Sequence, residues 1–343
     1  MGAQCLANIL RNKKMLTELD LRNNCIGDYG TLQIADALQD NVKIIALDLR
    51  SKEIGDKGVK YIAGALKNNT SLQRLDLSDN SITDIGAGYI ADMLKENLTL
   101  IELILRSNKI QDTGVEILTD AMEKNTTVTE ISLYQCQIGE QGAKYLADVL
   151  INKKALTKLS LDCNFIGNKG VQHLAEVLKH HPKLDVLHLG SNNIDDQGVE
   201  YIVHILETNE VLTKLILKDN NIGHQGAKDL ANVLNNSLIT LGLGNNQIDD
   251  RGAKYLAHAL ETNRVLTRLH LEENQIGDQG AQYFINALKN NKAIVLMDLR
   301  SNLIGDEGAF HLADALKYNQ VRLKILGLHN SYYLVDTRDT QTS

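Results

Sequence analysis

The sequence contains no tryptophan, three phenylalanines and one proline, Pro182, in 343 residues. A core built on large aromatic side chains is excluded, and so are Pro-rich linkers. Cysteine is scarce as well. Cys5, Cys25, Cys136 and Cys163 show no framework spacing and read as reduced thiols of a cytoplasmic chain. No apolar run approaches the roughly 18 residues that a membrane-spanning helix needs. The opening stretch MGAQCLANILRNKK lacks the long apolar core of a secretion signal. Without such a signal, the glycosylation-type triplets at Asn69 and Asn125 carry little weight. Concentrated positive charge is missing too. The net charge is −7, and Lys13-Lys14 and Lys153-Lys154 are too short to form basic patches, so they read as solvated helix ends. Nucleic acid is therefore not the expected partner.

What the chain does have is 43% hydrophobic and 23% charged residues, the balance of a soluble, well-packed protein. A chain of this length usually forms about two domains, but repetition overrides that expectation because solenoids grow by stacking units. Here a repeat is plain. LTELDLRNNCIGDYG from Leu16 returns as IIALDLRSKEIGDKG from Ile44 and as LQRLDLSDNSITDIG from Leu72. Further copies begin at Leu100, Val128, Leu156, Leu184, Leu212, Leu238, Leu266 and Ile294, and a partial one runs from Leu323. The period is 28 residues, with a two-residue deletion before Leu238 and one extra residue before Leu323. Copies this regular mark a repeat architecture.

Each unit has two hydrophobic periods. In LxxLxLxxN the apolar residues alternate, which predicts a short strand with one buried face. In GAKYLADVL (142–150) they recur three and four apart, which predicts a helix. Aspartates at 28, 56, 84, 112, 196, 250, 278 and 306 stand just before these helices, where a carboxylate can accept the free N–H groups of the first turn. Two residues later a glycine recurs, from Gly30 to Gly308. A side chain there is expected to collide with a neighbouring strand or helix. An asparagine recurs in the turn, from Asn24 to Asn302, and its stacked amides should form a ladder. Cys136 and Lys52 interrupt it; cysteine is a known substitute, whereas lysine implies a locally looser turn. Strands stack about 4.8 Å apart while helices need about 8–10 Å, so the expected solenoid is a horseshoe with its parallel sheet on the concave side.

The pattern LxxLxLxxNxIGDxGAxxLAxAL resembles the ribonuclease-inhibitor type of leucine-rich repeat over roughly residues 2–330, with a tail at 331–343 that departs from it. That type also occurs in Ran GTPase-activating proteins, in the sensor ends of NACHT immune receptors and in microbial effectors. The resemblance implies an α/β solenoid and is poor at separating functions, because the motif residues are structural. The chain differs from the inhibitor itself in being poor in cysteine and in keeping one repeat length. It lacks the long acidic tail of the Ran-specific family.

Catalytic signatures are missing: there is no GxxxxGK[ST], GxGxxG, HExxH or CxxC. His270 and Glu272 form an HxE without the PCxxC that a deaminase requires. His180-His181 stands at a helix end where other units carry Asn-Asn or Asn-Thr. No catalytic residue, cofactor, metal or small-molecule substrate is expected. A tyrosine column (Tyr61, Tyr89, Tyr145, Tyr201, Tyr255, Tyr283) reads as a half-buried seam between adjacent helices, the alternative being an aromatic contact stripe.

Binding is expected from strand side chains that point away from the core. Unlike the structural columns, these vary between units. Asp20, Asp48 and Asp76 should stack at strand spacing, with Arg22, Arg50 and Arg106 close enough to offset them. That array is either a self-neutralising ladder or an ionic partner site. Tyr134 is the one aromatic in these columns, among Lys158, Asp162, His188, Lys214 and Lys218, as an interface anchor would be. Thr240, Gly242 and Gly244 leave the ninth unit nearly bare. Either a partner's bulky side chain fits between Ile216 and His270, or that unit has lost side chains. The reading is a non-catalytic scaffold that holds a folded protein partner in its concave face. GTPase activation, or the sensor segment of a receptor or effector, are the other functions the resemblance implies.

Overall fold

A computed structural model describes residues 2–12, 16–50, 53–234, 237–318 and 324–326. Lys13-Lys14, Lys52 and the tail 331–343, singled out above, lie outside the described residues. The chain divides into two compact units, Met1–Ile166 and Gly167–Ser343. In the first unit the elements alternate as α1 (Gly2–Asn12), β1 (Glu18–Asp20), α2 (Gly27–Gln39), β2 (Ala46–Asp48), α3 (Asp56–Leu66) and β3 (Arg74–Asp76). They continue with α4 (Asp84–Leu94), β4 (Glu102–Ile104), α5 (Gln111–Lys124), β5 (Glu130–Ser132), α6 (Glu140–Leu150) and β6 (Lys158–Ser160). The second unit holds α7 (Gly167–Leu178), β7 (Val186–His188), α8 (Asp196–Thr208), β8 (Lys214–Ile216), α9 (His224–Asn232) and β9 (Thr240–Gly242). Then come α10 (Asp250–Thr262), β10 (Arg268–His270), α11 (Asp278–Asn290), β11 (Leu296–Asp298), α12 (Asp306–Tyr318) and β12 (Lys324–Leu326).

Within each unit the strands pair in parallel with their sequence neighbours, and each step moves the register by one repeat. Asp20 is beside Asp48 and Asp48 beside Asp76; Arg268 is beside Leu296 and His270 beside Asp298. The core is the central apolar residue of the strands, usually leucine but Ile131 in β5 and Met297 in β11, with the leucine two residues on and the inner stripe of the helix, as Leu47, Leu49, Ile62 and Leu66 show in one repeat. The deletion before Leu238 is absorbed by α9, which has nine residues where its neighbours α8 and α10 have 13.

The turn asparagines form the expected ladder. Asn80 Nδ2 donates to the carbonyls of Leu77 and Ser78 in its own turn and of Leu49 in the preceding repeat. Its Oδ1 accepts Ile54 N of that preceding repeat at 3.1 Å. Cys136 keeps the donor half of this role, Sγ to Leu105 O at 3.1 Å. A second asparagine column, not singled out from the sequence, closes α2, α3, α4, α5, α8, α10 and α11. Asn69 Nδ2 donates to Leu38 O and Asn41 O, and its Oδ1 accepts Ser71 N and Leu72 N.

His181 and Lys153 occupy this second column. His181 is buried and its Nδ1 accepts Leu184 N at 3.0 Å, so it serves as a helix-end cap. Lys153 corrects the solvated-end expectation: it is only 3% exposed, and its ammonium donates to Asn125 O. Burial depresses its pKa from 10.5 to about 8.

The aspartates differ from expectation in the helix they serve. Such an aspartate is the first residue of its own helix in α3, α4, α8, α10, α11 and α12, and Asp56, Asp196, Asp250 and Asp278 among them cap the next repeat. Asp28 Oδ1 accepts Gly55 N at 3.1 Å and Gly58 N at 2.8 Å. Asp250 does the same for Gly277 and Gly280, and Asp278 for Gly305 and Gly308. The recurring glycine follows from this. A Cβ at Gly58 would stand 2.7 Å from Asp28 Oδ1 and 2.9 Å from Ile54 Cγ2. The obstruction is thus the preceding repeat's carboxylate together with an isoleucine of the glycine's own repeat.

Candidate functional site

The outward strand positions of the first unit carry dense opposite charge. Arg22 grips Asp20 with Nη2 at 2.7 Å and reaches Asp48 at 3.5 Å. Arg50 bonds Asp76 at 2.7 Å and approaches Asp48 at 3.7 Å, while Arg74 pairs with Glu102 at 2.8 Å. Of the two readings left open, the self-neutralising ladder describes this geometry. The guanidinium hydrogen bonds hold the Asp20 carboxyl below its ordinary range. Burial, and then the neighbouring Asp76, raise that of Asp48. Asp48 and Asp76, expected to line a binding face, are buried, Asp76 completely. Arg50 covers Asp76, and what the ladder offers outward is guanidinium edges and Asp20.

Arg106 does not join the ladder. Its guanidinium lies over the Tyr134 ring, 4.4 Å from the centroid. Tyr134 is half-buried, and a hydrogen bond with Cys163, followed by partial burial, raises its hydroxyl pKa. Lys158 reaches Glu130 at 3.5 Å, and Asp162 accepts from Ser160 Oγ at 2.9 Å. Arg106, Tyr134 and Asp162 hold the same place in successive repeats, because Ser107 N bonds Tyr134 O and Gln135 N bonds Asp162 O. This places a planar cation, an aromatic ring and a carboxylate side by side on one face.

In the second unit His188, Lys214 and Lys218 are half-exposed in outward columns. Lys218 Nζ stands 3.9 Å from Glu272. The outward side chains described here include Lys214, Lys218, Arg268 and Arg300 against Glu272 and Asp298. The bareness expected around Gly242 and Gly244 is not found, for both glycines are buried. A Cβ at Gly242 would meet Ile216 Cδ1 at 2.8 Å, and one at Gly244 would overlap the Glu272 carboxylate. Neighbouring side chains fold over the gap.

A polar cleft in this unit is lined by Asp195, Asn221, His224, Asp249 and Arg251 among others. Its carboxylates are engaged: Asp195 and Asp249 accept backbone amides of their own helices, and Arg251 pairs with Asp249. In the tyrosine column, Lys60 lies over Tyr89, Lys228 over Tyr255 and Lys254 over Tyr283 from one repeat to the next, and Tyr255 is exposed and not half-buried as expected. Among the described residues, no helix is long and apolar enough to cross a membrane.

Residues 52–169 match the model of the TMOD/LMOD leucine-rich domain. Residues 12–35, 180–203, 208–231, 234–257 and 262–284 match that of the leucine-rich repeat. No curated protein matches the chain significantly. Among solved structures, an internalin (InlF) of Listeria monocytogenes aligns with a TM-score of 0.51 at 19% identity, covering 95% of this chain and 89% of that one. A chain of the yeast Rad7–Elc1 complex aligns with a TM-score of 0.54 at 13% identity, covering 95% and 84%. At such identities the likeness is one of fold.

Proposed function

Because the chain is a leucine-rich-repeat protein, we propose that it acts as a non-catalytic scaffold in the cytoplasm, holding a folded protein partner against the outward side chains of its strands. The observation that carries this reading is the Arg106–Tyr134 stack beside Asp162. An aromatic ring held rigid by a cation at 4.4 Å, on a face otherwise charged, offers a partner apolar area at little entropic cost. The columns around it differ from repeat to repeat, whereas every structural column recurs. One of the similar folds comes from a two-protein complex, which supports a protein partner. Four free cysteines fit a reducing compartment. Burial pushes the Cys136 thiol up to about 12, which keeps it inert.

The test is affinity capture with the wild-type chain and with the double variant Tyr134→Ala, Lys158→Ala, matched for thermal melting. Proteins retained by the wild type should be lost or strongly reduced on the variant. Equal retention would remove the Tyr134 region from the interface.

A further inference from the structure

We infer that His270, Glu272 and Asp298 form an open site for a divalent transition-metal ion of the zinc class. The ladder places them together. His270 ends β10 and Asp298 ends β11, as direct partners in the parallel register, so their side chains leave the same face. Glu272 follows two residues after His270 and turns to the same side. One ligand atom from each lies within 4.8 Å of the others. The three stand 26 to 28 positions apart or two apart, close to the repeat length, which is why no linear metal motif announces them.

An independent observation points to a ligand. Glu272 is only 9% exposed, yet among the described residues its Oε2 has no hydrogen-bond partner. His270 Nδ1 stands 3.9 Å from that oxygen. A buried carboxylate oxygen left this way is costly and calls for an occupant. The side chain is held there by design of the backbone: it lies across Gly244, where a Cβ would overlap it. Asp298 is 1% exposed and fixed by Arg300, whose Nε bonds both carboxylate oxygens at 2.9 and 3.1 Å. Such an outer brace orients a ligating carboxylate while leaving lone pairs for a metal.

One imidazole nitrogen with two carboxylates suits zinc and its neighbours, whereas calcium prefers an all-oxygen cage of six to eight ligands. Three protein ligands leave coordination positions for water or for a group from another molecule. Two cations oppose binding, the first being Arg300, whose Nη2 also bonds Asp298 Oδ2 at 2.6 Å. Lys218 Nζ stands 3.9 Å from Glu272 Oε1, so an incoming dication must displace an ammonium. The lysine side chain is partly exposed and can move away. Metal affinity is accordingly lowered by competition with Lys218 and with Arg300. The site does not depend on the partner-binding reading above.

The experiment is titration of the full chain with zinc chloride at pH 7.5 by calorimetry, with calcium chloride as control. The expected result is one saturable zinc site, weakened at least tenfold in Glu272→Gln and in His270→Ala, and tightened in Lys218→Met. Matched circular dichroism melts establish that the variants are folded, and His270→Ala, at a half-exposed position, carries the test if Glu272→Gln melts early. Absence of saturable binding overturns the proposal. So does zinc binding left unchanged by both ligand variants, which would mean adventitious capture by other histidines.

Discussion

Asn168 and Asp195 hydrogen-bond each other twice across neighbouring repeats: Asn168 Nδ2 donates to Asp195 Oδ1 at 2.8 Å, and Asp195 N donates to Asn168 Oδ1 at 3.2 Å. After an aspartate at the Asn168 position the next helix is commonly preceded by glycine or threonine, as at Gly55, Thr83, Gly277 and Gly305, with Gln111 after Asp84 as an exception. Where that aspartate is replaced, by Asn168 or by His224, the next helix brings its own aspartate, Asp195 or Asp249. These accept the first-turn amides directly, Asp195 from Gln197 and Asp249 from Arg251 and Gly252. The amides are satisfied by one repeat or the other.

A cap-transfer experiment follows. Asp278→Asn should weaken the bonds to Gly305 N and Gly308 N and cost about 1 kcal/mol in urea unfolding. Adding Gly305→Asp, which copies the Asp195 arrangement, should restore most of it. A double variant no more stable than the single one would refute the exchange.

Two glycines of α3 should respond in opposite directions. Gly58→Ala places a methyl 2.7 Å from Asp28 Oδ1 and 2.9 Å from Ile54 Cγ2, and should destabilise by about 1–3 kcal/mol. Gly64 has nothing within 4 Å of such a methyl. Gly64→Ala should stabilise by about 0.5–1 kcal/mol, from helix propensity and reduced unfolded-state entropy. Chemical denaturation reads both.

Lys153 makes stability depend on alkaline pH. Its folded pKa of about 8 is below the ordinary 10.5, so between these values the unfolded chain binds the extra proton. Stability should therefore rise as pH increases from 8 to 10.5, and the full penalty of the buried charge is present below 8. Lys153→Asn restores the residue of the other repeats and should gain about 1–3 kcal/mol at pH 7. The gain should shrink at pH 10. Denaturation midpoints at the two pH values check the sign.

Arg50 holds two buried carboxylates. Arg50→Ala leaves Asp76 without its 2.7 Å partner and should cost about 2–4 kcal/mol at neutral pH. Because Asp48 already protonates above the ordinary range, the loss should diminish toward pH 4. A cost independent of pH would indicate lost packing alone.

Period, strand faces and the turn asparagines were legible in the sequence because each depends on spacing within one repeat. The second asparagine column was legible too, since Asn41, Asn69, Asn97 and Asn125 recur at 28 residues, but it was not read. What single-repeat reasoning misses is anything that reaches to a neighbour. Asp28 serves Gly58 and not its own helix, Lys153 is drawn inward by Asn125 O, and Arg106 chooses Tyr134 over Asp76. The same reach covers Gly242 and Gly244 with Ile216 and Glu272. On the outward face of the strands, lateral neighbours decide which charges stay accessible, so outward position alone included the buried Asp48 and Asp76.

The forward reach of the aspartates gives the array a grammar. The repeats carrying Asn168 and His224 are each followed by one that brings its own aspartate, Asp195 or Asp249, whereas the helices preceded by Gly55, Gly277 and Gly305 follow an acidic residue, Asp28, Asp250 or Asp278. Modules cut and rejoined at equal length are thus not interchangeable: a splice placing the Gly277 repeat directly after the His224 repeat would orphan amides that either parent order satisfies. Lengthening or shuffling this chain by recombination must respect which unit speaks before which.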